Sequence, residues 1–216
     1  AGETGHEDVI TFAELEERGR ARLSAEPALV DARIDGLTTE HLATIIYTSG
    51  TTGQPKGVRL PHSAWTYEAA AVDAVQILSE DDLQYLWLPL CHSFGKMLAA
   101  VQLQIGFATA VDGRIDRIVD NLAVVRPTFM AGPPRIFEKI HGRIVQTMAE
   151  TGGIRSRLFT WAFGVGGQIA AARADGRPPG RLLTLQHALA DRLVLAKVRN
   201  RLGGRMRFMV SGSAAL

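Results

Sequence analysis

Between residues 83 and 132, short apolar runs of strand length alternate with segments of helical period. No other feature constrains the fold as tightly. Leu83 to Leu90 predicts a strand broken at Pro89, 94–105 a helix, Phe107 to Val111 a strand, 114–125 a helix, and Thr128 to Ala131 another strand. In the second of these helices Ile115, Ile118, Val119, Leu122 and Val125 fall on one face. Strands separated by whole helices pair in parallel, with the helices covering the sheet. The expected class is α/β, with mostly parallel sheets and helices on both faces.

The flanks extend the pattern. Residues 11–24 read as a helix with Thr11 as N-cap and Glu14 three residues on, followed by a polar connector to about Thr38. Leu42 to Tyr47 is a β-branched apolar strand, Val58 to Leu60 a returning strand ended by Pro61, and Ser63 caps a helix running to about Leu78. A helix opens after Pro133-Pro134. Residues 135–203 then read as mainly helical, broken at Gly152-Gly153 and at 176–180, with Leu185, Leu189, Leu193 and Ala196 in a stripe on the last helix. Arg205 to Val210 closes as a strand.

Composition is that of an ordinary globular protein, with 46% hydrophobic residues and a net charge of +2. The charge is uneven: residues 141–205 hold eleven Lys/Arg against three Asp/Glu. A single cysteine, Cys91, excludes an internal disulfide and a Cys-based metal cage, and is read as a packing residue. With no apolar run of spanning length and no visible signal peptide, the expected location is cytoplasmic. The basic helices add an expectation of peripheral contact with the inner membrane face. Nucleic acid is not expected as a partner, because aromatic residues do not interleave with the basic ones. The absence of an initial Met and the strand turning at Leu216 read as an internal piece of a longer chain.

The segment directly after the 42–47 strand points to chemistry. Tyr47-Thr48-Ser49-Gly50-Thr51-Thr52-Gly53-Gln54-Pro55-Lys56-Gly57-Val58 places hydroxyls, glycines and one lysine where backbone N–H groups can turn toward a polyphosphate. Pro55 stands where a Walker A loop needs glycine, and Gly50-Thr-Thr-Gly53 does not make a dinucleotide fingerprint.

This segment closely resembles the signature of the adenylate-forming (AMP-binding) enzyme family, with Gln54 at its variable position. Three later segments resemble the same family in order: Leu88-Pro-Leu-Cys-His92-Ser-Phe-Gly95, Ala131-Gly-Pro-Pro-Arg-Ile-Phe-Glu-Lys139 and Met206 to Leu216. In the last, Ala215 replaces the usual proline. The helical insertion after the second segment fits the long-chain fatty acyl-CoA synthetase branch. The resemblance covers about residues 11–216 and implies part of the large N-terminal domain, with the mobile C-terminal lid domain outside this sequence.

The implied activity is ATP-dependent conversion of a long-chain fatty acid to acyl-adenylate and then acyl-CoA, with ATP, Mg²⁺ and coenzyme A. Two alternatives remain: a fatty acyl-AMP ligase that loads a carrier protein, and a truncated, non-catalytic nucleotide-binding module. The resemblance assigns Thr48, Ser49, Gly50, Thr51, Thr52, Gly53 and Lys56 to the phosphates, with Thr51 at the metal. It places His92 beside the fatty carboxylate, makes His92 and Lys56 the catalytic pair, and sets Gly212, Ser213 and Ala214 against the nucleotide. Because the Thr-Glu motif and the lid lysine are expected beyond Leu216, the 216 residues alone are expected to form no acyl-adenylate.

Overall fold

The computed structural model describes residues 9–48 and 54–213, with 147–151 as backbone only. The chain divides into two compact units, Ala1–Ser63 and Ala64–Leu216.

In the first unit α1 (Phe12–Ala25) starts as its cap predicts: the Thr11 hydroxyl accepts the Glu14 N–H at 3.2 Å, and Glu14 bonds Arg18 one turn on at 2.6 Å. None of its residues is buried, so local terms hold this helix. Thr11→Ala is expected to cost it about 1 kcal/mol, read as faster amide exchange over residues 12–15. The stretch expected as a connector contains a second short helix, α2 (Leu29–Asp35). It has no side-chain cap and only seven residues, too few to impose a helical period on the sequence.

Strands β1 (Leu42–Thr48) and β2 (Lys56–Pro61) form an antiparallel two-stranded sheet, with Ile46 opposite Val58 and Thr48 opposite Lys56. The return strand thus begins two residues earlier than expected, and Lys56 belongs to it. Helix α3 (His62–Ala74) opens at the end of this unit, where the His62 and Ser63 N–H groups donate to the His41 and Thr39 carbonyls. Ser63 therefore lies inside the helix. Its far end comes four residues before Leu78, and Gln76 just beyond has φ +58°, which no continuing helix accepts.

The second unit is built on a parallel sheet of β3 (Leu83–Leu86), β4 (Ala108–Val111), β5 (Phe129–Gly132) and β6 (Phe208–Ser211), in the order β4-β3-β5-β6. Alternate residues of β3 and β5 face opposite ways. Leu86, Phe129 and Ala131 meet α3 and α4 (Ser93–Ile105) through Ala69, Leu98 and Val101. Tyr85, Trp87 and Met130 meet α5 (Ile118–Val125) and α6 (Pro134–Thr151) through Ile118, Leu122, Ile136 and Ile140. Helices on both faces of a parallel sheet are what the alternation required.

At the amino ends of these strands, buried Asp82 fixes the sheet. Its carboxylate accepts Arg207 Nη1 at 2.6 and 2.5 Å, the Thr128 hydroxyl at 2.6 Å and the Ser79 N–H at 3.0 Å. Burial pushes this carboxyl up, but the bonds from Arg207, Thr128 and Ser79 outweigh it and hold it below its ordinary value.

The helical stretch contains α7 (Gly153–Ala174), α8 (Arg181–Ala190), a π-helical turn at Asp191–Leu195, and α9 (Ala196–Arg201). α7 and α8 pack through Ala162, Val165 and Ala190. The leucine stripe is not core: Leu185 and Leu189 are 70% and 52% exposed.

Candidate active site

All four parallel strands end on the same side, so the segments that follow them gather at one edge. β3 leads to α4 on one face and β5 to α6 on the other, while β4 and β6 lie outside them. The strand order reverses between β3 and β5, and such a reversal leaves a crevice at the carboxyl ends where open α/β sheets bind ligands. The Trp87–His92 segment flanks one side and Gly132-Pro133-Pro134 the other.

These two segments are tied together. Trp87 Nε1 donates to the Ala131 carbonyl at 2.9 Å inside the core. After Trp87 the chain turns tightly, with the His92 N–H on the Pro89 carbonyl at 3.2 Å. Gly95 permits the turn, because a Cβ there would stand 2.5 Å from the Pro89 carbonyl oxygen.

His92 is the N-cap of α4, exposed, with no side-chain cap bond. Its imidazole stands at the positive end of a 13-residue helix, with Lys96 in the following turn, a setting that favours a carboxylate or phosphate. Phe94 closes the gap to the last strand, since a Cβ on Gly212 would lie 3.3 Å from its ring. Ser213 follows with φ +68°. His92, Gly212 and Ser213 are thus at the same end of one sheet. Cys91 is exposed on this turn and does not pack.

A polar cluster that the sequence reading missed stands at the end of β4. Asp112 accepts Arg114 Nε at 2.9 Å and Asn121 Nδ2 at 2.8 Å, and Asn121 also reaches the Tyr85 hydroxyl at 3.0 Å. Arg114 holds the Asp112 carboxyl well below the usual range, while burial raises the Tyr85 phenol. The signal available was the Asp-Gly-Arg run directly after a strand.

Lys56 and Thr48 lie in the first unit as a cross-strand pair, the Thr48 hydroxyl donating to the Lys56 carbonyl at 3.5 Å. β1 and β2 are therefore paired arms that carry Thr48 and Lys56 at adjoining ends. Ser49, Gly50, Thr51, Thr52, Gly53 and Ala214 lie outside the described residues. Among the described residues no group of three His, Cys, Asp or Glu could hold a metal. The donor set of exposed imidazole, helix N-terminus and glycine-lined turns fits an anionic ligand.

Comparison with known proteins extends this reading. The model of the AMP-binding enzyme family matches residues 4–216. Fatty acyl-CoA synthetase A of Dictyostelium discoideum is 34% identical over 182 residues, covering 82% of this chain and 25% of its own length. Long-chain-fatty-acid–CoA ligase FadD15 of Mycobacterium tuberculosis is 34% identical over 204 residues, covering 94% of this chain and 34% of its own. Among solved structures, ATP-bound MatB from Rhodopseudomonas palustris is 22% identical, with a TM-score of 0.48 over 82% of this chain and 25% of its own. The chain spans a quarter to a third of the length of these curated relatives. With the signature after β1, the reversed sheet order and a family match over nearly every residue, the chain belongs to the AMP-binding enzyme family.

Proposed function

We propose that the whole protein activates a long-chain fatty acid with ATP and transfers it to coenzyme A. One observation supports this above the others: exposed His92 and glycine-turned Gly212 stand at the same carboxyl end of the sheet, beside the β3/β5 reversal. The names of the relatives, fatty acyl-CoA synthetase and long-chain-fatty-acid–CoA ligase, support this substrate class.

In this reading the fatty carboxylate oxygen attacks the α-phosphorus of ATP and pyrophosphate leaves. A thiol sulfur then attacks the acyl carbon, and AMP leaves. Mg²⁺, when bound, neutralises phosphate charge. His92 and the first turn of α4 orient the carboxylate. The Thr48–Gly53 segment and Lys56 hold the β- and γ-phosphates, with Thr51 toward the metal, and Gly212, Ser213 and Ala214 border the nucleotide.

The test is an assay of the complete protein with ATP, Mg²⁺ and a fatty-acid series, offering coenzyme A and a carrier-protein thiol separately. Acyl-CoA formation supports the proposal; transfer to the carrier alone replaces it with the acyl-AMP ligase reading. His92→Ala is expected to lower kcat/KM for the adenylation step about tenfold through lost orientation. Unchanged pyrophosphate release would remove His92 from the site.

A cytoplasmic location with peripheral contact on the inner membrane face is part of the same proposal, supported by the basic excess over residues 141–205. Among the described residues no helix is long and apolar enough to cross a membrane.

A further inference from the structure

We propose that the helical region binds one single-chain anionic amphiphile, a long-chain carboxylate, in a groove between α6, α7 and α9. A cavity of about 450 Å³ opens there, within the size range of small-molecule sites. Its walls are Ile144, Leu158, Phe159, Val194 and Val198, and Phe159 is only 6% exposed. Arg155, Lys197 and Arg201 also line it, and all three are exposed, so they stand at its rim.

The surroundings select the occupant. Among the described residues, none of the three cations has an ion-pair partner, whereas their neighbour Arg199 is held by Asp191 at 2.9 Å. Among the described residues no carboxylate lines the groove, and no hydroxyl or amide side chain does either. A nucleotide's base or a sugar would meet only apolar walls below the rim cations, with no side-chain acceptor among the described lining residues for its N–H and O–H groups. An alkyl chain leaves water against the walls while its anionic head meets the rim. A bilayer surface fits less well, because the apolar walls are recessed and the cations stand outside them.

The backbone arranges this face. Val194 and Val198, and likewise Leu193, Lys197 and Arg201, recur at helical spacing along the segment that leaves the π-helical turn. Such turns re-aim a helix face and recur at functional sites. Ala190, just before the turn, stays packed against α7. The proposal does not rest on the synthetase reading, because none of these residues lies at the carboxyl end of the sheet.

Calorimetric titration of the chain with monomeric oleate tests it, with oleyl alcohol and anionic phosphatidylglycerol vesicles as parallel probes. Arg201 also borders an adjoining cavity that contains Asp120, so Arg155 and Lys197 are the cations to reverse. Arg155→Glu combined with Lys197→Glu is expected to weaken oleate at least about tenfold and to leave oleyl alcohol unchanged. Leu158→Trp, which fills the groove, is expected to abolish saturable binding of both. Should Leu158→Trp fail to fold, the exposed charge pair decides alone. Three results overturn the proposal: oleate affinity indifferent to both variants, oleate binding lost with His92→Ala instead, or association with vesicles but not with monomeric oleate.

Discussion

Gly95→Ala is expected to lower stability by about 2 kcal/mol and, in the complete protein, to depress adenylation well beyond that loss of folded enzyme. On propensity alone the change is favourable, since alanine in a helix gains about 1 kcal/mol over glycine. Packing decides the sign. The new Cβ would stand 2.5 Å from the Pro89 oxygen and 3.1 Å from the Leu88 oxygen, both backbone atoms that no rotamer change can move. The turn between Trp87 and α4 must open, and His92 sits within it. Urea unfolding gives the first effect, and pyrophosphate release per folded molecule gives the second. A variant as stable and active as the parent would show that the turn yields without strain.

Arg207→Leu is expected to cost about 3 kcal/mol at neutral pH, because it leaves the buried Asp82 carboxylate without its cation. Arg207 is itself half exposed, so its contribution lies in what it does for Asp82. The pH dependence identifies the cause. In the parent the Asp82 carboxyl is lowered from its ordinary 3.8, so its stabilisation is present above that value and lost as pH falls through the folded pKa. Without Arg207, burial acts against only the Thr128 and Ser79 bonds, and the carboxyl shifts upward. Protonation then relieves the variant at a pH where the parent carboxyl, held below 3.8, is still ionised. The stability gap should therefore narrow as pH falls from 7 to 4 in urea unfolding. A gap of equal size at both values would assign the loss to Arg207's bond to the Ile77 carbonyl, 3.0 Å, and its packing over Phe208.

The Gly95 contact closes a local turn, whereas Asp82 and Arg207 are 125 positions apart, and the same division between near and far separates what was legible from what was not. Thr11 with Glu14 announced α1 because a cap is a local bond. α2 stayed hidden because seven residues with no cap leave no such mark. Of the residues read as one face of the 114–125 helix, Ile118 and Leu122 are buried and Ile115 is exposed. Leu185 and Leu189 have the same spacing and are exposed, because a stripe is buried only if another element covers it. Cys91 was assigned to packing by its residue type, yet it falls on a turn held open to solvent.

The alternation of strand and helix and the hydroxyl-glycine segment before Lys56 were enough to determine the α/β class and point to the family. Each is written in residues close along the chain, where backbone period and turn chemistry operate. Only the tertiary structure placed β3 between β4 and β5 and brought Phe94 against Gly212. Strand order and close approach depend on pairings between residues tens to more than a hundred positions apart. Those pairings are chosen by the total burial and hydrogen bonding of the whole fold, which no local window of sequence contains.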